Sequence, residues 1–145
     1  MNLKVALIGV GSMGGAHFSN WQNIEGTEII ALCDVRSEQI NGRGIEKTYT
    51  DFYELLEKEQ PDIIDICTPS FLHKEMSVAA MEKGINVICE KPAALCAKDI
   101  AEMVAASERN HVAFMAAQVL RFWHEYNVLR EIYQDKRYGE LISAN

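Results

Sequence analysis

Apolar runs of strand length alternate along this chain with stretches whose apolar residues recur at helical spacing, the pattern of a parallel sheet covered by helices on both faces. Strands are predicted at Lys4 to Val10, Glu28 to Asp34, Asp62 to Thr68, Asn86 to Glu90 and His111 to Val119, where β-branched residues and near-continuous apolarity suit burial on both sides. Lys47 to Thr50 is expected to add a shorter strand. Gly14, Phe18 and Trp21 share one helical face, as do Leu72, Met76, Ala79 and Ala80, and again Ile100, Met103, Val104 and Ser107. Such stripes are core contacts. Asp51 followed by Glu54 reads as an N-cap with a capping-box partner, opening a helix that must stop before Pro61, and Gly84 is placed as a helix C-cap. Right-handed crossovers turn this order into an open, doubly wound α/β sheet.

The pattern changes after residue 120. Glu125 to Gln134 reads as a helix, Gly139 as a break, and Glu140 to Ala144 as a strand just beginning without a neighbour. The expected division is a nucleotide-binding domain over 1–120, then a connecting helix and the first strand of a truncated second α/β domain over 121–145.

Composition narrows the partners. A chain of 145 residues, 48% of them apolar, suits one core, and a net charge of −7 without a basic run argues against nucleic acid. No apolar run approaches a membrane span, and the amino terminus lacks the h-region of a signal peptide, so a soluble cytoplasmic protein is expected. Cys33, Cys67, Cys89 and Cys96 form no C-x-x-C pair and are expected to be buried, reduced thiols, with no zinc or other metal site. His17, His111 and His124 are read as structural, and Trp123 with the tyrosines of the last helix as packing residues.

An acidic chain that holds an anion needs a local device, and one follows the first strand. Gly9-Val10-Gly11-Ser12-Met13-Gly14 fits G-x-G-x-x-G where strand passes into helix. Gly9 permits the tight turn, Gly11 lets the backbone approach a pyrophosphate, and Gly14 lets helix and strand pack closely; free N–H groups around Ser12 and Met13 then face the anion. Asp34 ends the second strand, where a carboxylate accepts hydrogen bonds from a ribose diol and repels the 2′-phosphate of NADP. NAD is therefore favoured over NADP, with Arg36 the residue that would receive that phosphate. A ligand-free glycine turn, and an N-cap or turn role for Asp34, are the alternatives.

Thr68-Pro69-Ser70 with His73, and Glu90-Lys91-Pro92, fall at the carboxyl ends of two further strands, where open α/β sheets bind ligands. Together with GVGSMGGAH, DIIDICTPSFLH, GINVICEKP and QVLRF, these stretches resemble the Gfo/Idh/MocA oxidoreductases over essentially the whole chain. The resemblance implies a Rossmann-type fold and a catalytic Lys91 beside the nicotinamide and the reacting carbon of a sugar or polyol. It further implies Glu90 at the nicotinamide ribose, Thr68, Pro69 and His73 along the cofactor, a cis Lys91–Pro92 peptide, and Gln118 and Arg121 toward the nicotinamide side and the domain junction. Beside a cationic nicotinamide the Lys91 ammonium would be partly destabilised, which suits it to relay a proton from a substrate hydroxyl.

Two departures from that family stand out. Ser37 to Lys47 leaves room for only one or two helical turns and contains Gly42 and Gly44, so the wall near the adenine is expected to be a loop. The chain also lacks the second domain that in the family carries further acid/base residues and builds the homo-oligomer. The expected function is the cofactor-binding part of an NAD(H)-dependent sugar or polyol oxidoreductase, inactive by itself. A non-catalytic dinucleotide-binding or redox-sensing module is the alternative, and a fragment that has lost its adenine site a third.

Overall fold

The computed structural model describes residues 2–143. Among them, strands β1 (Leu3–Ile8), β2 (Thr27–Cys33), β3 (Thr48–Tyr49), β4 (Ile63–Ile66), β5 (Asn86–Cys89) and β6 (Phe114–Ala116) form one parallel sheet in the order β3-β2-β1-β4-β5-β6. Helices α1 (Ser12–Trp21), α2 (Phe52–Lys58), α3 (Ser70–Glu82) and α4 (Ala97–Asn110) connect the strands, and α5 (His124–Gln134) follows them. A single 3-10 turn, Ser37–Gln39, stands where a second helix would otherwise lead to β3, and another, Val119–Phe122, precedes α5. This is the doubly wound Rossmann arrangement, whose strand order reverses between β1 and β4 and opens a crevice at their carboxyl ends.

Strand alternation divides the core between the two faces. Ala6 and Ile8 of β1 pack with Ile64, Ile66, Val87, Leu55, Met81 and Met103, whereas Leu7 joins Val10, Phe18, Leu32 and Ile40 under α1. Ile40 comes from the loop after the first 3-10 turn, so this short connection still fills the core that a helix would cover.

Several local expectations shift. The buried stripe of α3 is His73, Ser77, Ala80 and Met81, one position round from Leu72, Met76 and Ala79, which are half-buried. In α4, Met103 and Ala106 are buried and Val104 is exposed. Asp51 caps α2 by accepting the Glu54 backbone N–H at 2.8 Å, but the Glu54 carboxylate turns to Lys58 at 2.6 Å instead of closing the box. Strand β6 is shorter than its apolar run: His111 closes α4 in a left-handed conformation (φ 54°) and Gln118 already opens the second 3-10 turn.

The expected strand at Glu140 to Ala144 does not form over its described residues. Leu141 and Ile142 are exposed beside no pairing partner, and Ala144 lies outside the described residues. Helix α5 buries none of its side chains. The cysteines divide as well: Cys33 and Cys89 are buried, Cys67 is half-buried and Cys96, at the start of α4, is exposed. Burial pushes the Cys33 and Cys89 thiols up to about 12, so both are protonated. Among the described residues no helix is long and apolar enough to cross a membrane.

Candidate cofactor cleft

The turn from β1 into α1 is built by contacts that leave no room for side chains. A Cβ on Gly9 (φ 82°) would lie 2.8 Å from the Cys67 backbone, and one on Gly14 would lie 1.8 Å from the Gly9 carbonyl oxygen. At Gly11 the nearest obstacle is only the tip of the Arg36 guanidinium at 3.3 Å, so this face of the turn is open. Helix α1 starts there with no side-chain cap and no acidic residue in its first turn. Its first N–H groups have no intrahelical acceptor, and Ser12 and Met13 are exposed at this end. An uncapped helix start behind an open glycine is a receptor for a phosphate group.

Around it lies a cavity of about 510 Å³ at the carboxyl ends of β1, β2 and β4. Its lining includes Gly9, Gly11, Asp34, Arg36, Thr68 and Pro69 from the motifs, with Phe71, Leu72 and Met76 giving it an apolar wall. Asp34 is buried. Its Oδ2 accepts the Val10 N–H at 2.7 Å and its Oδ1 the Arg36 N–H at 2.9 Å, so the carboxylate is oriented by the backbone while keeping lone pairs for a diol. The Arg36 guanidinium stands 3.7 Å from Asp34 and reaches over Gly11. Arg43, not anticipated from sequence, backs the turn from below: its guanidinium covers the Phe18 ring at 5.1 Å and donates to the Val10 carbonyl at 3.3 Å.

The other half of the crevice is formed by the segments after β4 and β5. His73 is fully buried, with Nε2 2.7 Å from the Thr68 carbonyl and Nδ1 2.9 Å from the Pro92 carbonyl. It therefore ties the two segments together from beneath rather than lining the cavity. The Lys91–Pro92 peptide is cis. Lys91 is exposed, and its backbone N–H donates to Glu90 Oε2 at 2.9 Å. Gln118 is exposed just after β6.

A cluster that leaves no mark in the sequence pattern lies beside Glu90. His17 Nδ1 lies 2.8 Å from Asp65 Oδ2 and its Nε2 lies 3.2 Å from Glu90 Oε1; the Trp21 indole donates to the same Asp65 oxygen at 2.7 Å. Asp65 was hidden in the apolar run of β4, and His17 and Trp21 by reading α1 as a packing helix. Possible ligand atoms of His17, Asp65 and Cys67 come within 4.8 Å of one another. Asp65 also accepts from the Trp21 indole, and burial, reinforced by the Asp65 charge, pushes the Cys67 thiol well up, so the described contacts of the group are hydrogen bonds.

A doubly wound sheet with an open glycine turn, an uncapped helix behind it and an oriented carboxylate at the end of β2 defines a dinucleotide-binding protein of the Rossmann class. The family model for the Gfo/Idh/MocA oxidoreductases, NAD-binding Rossmann fold, matches residues 3–118, and the chain belongs to that family. It is 40% identical over 123 residues to D-apiose dehydrogenase of Paraburkholderia graminis, an alignment covering 82% of this chain and 33% of that protein. Among solved structures, myo-inositol 2-dehydrogenase of Lactobacillus plantarum superposes with a TM-score of 0.90 at 31% identity, over 98% of this chain and 44% of the other. An Agrobacterium radiobacter oxidoreductase solved with NAD+, L-tartaric acid and magnesium gives 0.88 at 26% identity, over 97% and 42%. The chain thus spans between a third and a half of the length of these relatives.

Proposed function

We propose that this chain is the cofactor-binding part of an NAD(H)-dependent oxidoreductase that moves a hydride between nicotinamide and a hydroxyl-bearing carbon of a sugar, polyol or related small molecule. The observation that carries this reading is the pairing of the open, uncapped start of α1 with the Asp34 carboxylate around one cavity, an arrangement that suits the pyrophosphate and adenosine ribose of one dinucleotide. The Gly9 to Gly14 turn holds the pyrophosphate, with Ser12 and Met13 N–H groups donating to it. Asp34 accepts from the ribose diol, while Thr68 and Pro69 wall the middle of the cleft. Glu90 takes the nicotinamide ribose, and Gln118 lies on the nicotinamide side.

The bound nicotinamide supplies the hydride acceptor or donor. Lys91, exposed beside Glu90, takes the proton of the substrate hydroxyl in oxidation and returns it in reduction. On this reading residues 1–120 form the nucleotide-binding unit and 121–145 lead toward a substrate domain. The names of its relatives support a polyol or sugar as the substrate of the full-length protein, a cytoplasmic homo-oligomer with no nucleic-acid or membrane partner.

Fluorescence titration with NADH and NADPH tests the reading. NADH is expected to bind at least about tenfold more tightly, because the 2′-phosphate would meet the Asp34 carboxylate; Asp34→Asn should weaken NADH and narrow that gap. Failure of both cofactors to bind at high micromolar concentration overturns the proposal. Tighter binding of NADPH would reassign Arg36 as a phosphate receptor.

A further inference from the structure

Asp65 of β4 and Glu90 after β5 are both buried and reach toward the same point at the carboxyl edge of the sheet. Two neighbouring buried carboxylates repel unless a cation or a proton lies between them. The imidazole of His17 occupies that place, one ring nitrogen on each carboxylate at 2.8 and 3.2 Å. Carboxylates only accept. A neutral imidazole donates to one of them and turns a lone pair toward the other, whereas an imidazolium donates to both.

Every side of the array is anchored. From β4, Asp65 is fixed by the Trp21 indole of α1 and by the Cys67 thiol, 3.7 Å from its other oxygen. From β5, the second oxygen of Glu90 accepts the Lys91 N–H, and the Cys89 thiol lies behind it within the field of both carboxylates. The pKa of His17 is raised, first by its hydrogen bond to Asp65, with burial opposing and the charges of Asp65 and Glu90 adding to the rise.

We propose that His17, as an imidazolium held between Asp65 and Glu90, is the positioning residue that aims the Glu90 carboxylate at the nicotinamide-ribose end of the cleft, so that NADH affinity falls when His17 loses its proton. The inference rests on the cofactor reading above. It predicts an effect confined to one end of the ligand: the adenosine and pyrophosphate contacts at Asp34 and Gly11 involve neither carboxylate of the array.

The test measures NADH and ADP binding to this chain as pH is raised from below the ordinary imidazole value of 6.5, above which the raised pKa of His17 lies. NADH affinity is expected to drop roughly tenfold with rising pH, the worth of one charge-assisted hydrogen bond, while ADP affinity stays level. In His17→Gln the NADH profile should be flat and already weak, with ADP unchanged. Long-range nitrogen–proton NMR of the wild-type imidazoles reads the ring directly and needs neither ligand nor variant to fold. Both His17 nitrogens should stay protonated to a higher pH than those of an ordinary imidazole. Parallel NADH and ADP profiles, a pH dependence that survives in His17→Gln, or a neutral ring throughout overturns the proposal. NADH binding with a flat profile removes the clamp and leaves the cofactor cleft standing, whereas no NADH binding at any pH removes both.

Discussion

A methyl group at Gly14 and one at Gly11 meet very different neighbours, though the two residues belong to one motif. The first would sit 1.8 Å from the Gly9 carbonyl oxygen, a backbone atom that cannot move without breaking the turn; the second meets only a swinging guanidinium tip. Gly14→Ala is expected to cost about 3 kcal/mol or more. Gly11→Ala should stay within about 0.5 kcal/mol of the wild type and lose NADH affinity instead. Thermal melts and NADH titrations of the two variants separate packing from ligand approach. The glycine turn, Asp34, Glu90 and Lys91 were all legible in the sequence because their neighbours on the chain mark the ends of strands. His17, Asp65 and Trp21 were not, since partners 48 and 44 residues apart leave no periodic trace. His73 was visible as a residue, but the two carbonyls beside its ring nitrogens, one from each side of the crevice, become visible only when β4 and β5 are adjacent.

At the scale of elements, hydrophobic patterning located every strand of the sheet but misjudged the edges of helices and strands. In α3 the apolar stripe Leu72, Met76 and Ala79 competes with a stripe containing a histidine and a serine, and it is the second that is buried, its His73 ring donating to the Thr68 or the Pro92 carbonyl according to its tautomer. A short edge strand also needs an anchor beyond its own length. For β3, two residues long, that anchor is the buried Glu59, which accepts from Lys47 at 2.7 Å and from the Tyr49 hydroxyl at 2.6 Å. Burial works against the Glu59 charge, yet these two donors leave its pKa lowered, and the same contact pushes Tyr49 up to about 12. Glu59→Ala is expected to cost about 1–3 kcal/mol by leaving β3 without these bonds. Denaturant melts of the variant against the wild type would measure it, and an unchanged midpoint would show that β3 is held by its sheet pairing alone.

For the whole molecule, the order of alternating elements was enough to foresee the sheet and its crevice, because right-handed crossovers leave few other windings. The expected final strand failed for the same kind of reason: an isolated apolar stretch specifies no partner. Helix α5 contributes no buried side chain and packs chiefly on the 3-10 turn before it. Removing residues 124–145 is therefore expected to shift the melting temperature by no more than about 2 °C, while loss of folding would show that α5 supports the sheet. The pH dependence of stability combines two groups of opposite sign. His17, raised, contributes fully below the ordinary imidazole value of 6.5 and its contribution is lost as pH rises through the higher folded value. Glu59, lowered, contributes above the ordinary 4.5 and is lost as pH falls through the lower folded value. Melting temperatures should therefore peak between those two ordinary values and fall away on both sides, with His17→Gln flattening the alkaline limb.

The uncapped start of α1 also bears on how fast a cofactor arrives. A dinucleotide carries two phosphate charges toward a chain whose own net charge is −7, so the distant field is repulsive and attraction begins near the turn, at its exposed N–H groups and the Arg36 guanidinium over Gly11. Added salt shortens the reach of the repulsion, to about 8 Å at physiological ionic strength, more than it weakens contacts inside the cleft. Stopped-flow association with NADH should consequently speed up as salt is raised, the reverse of an electrostatically steered encounter.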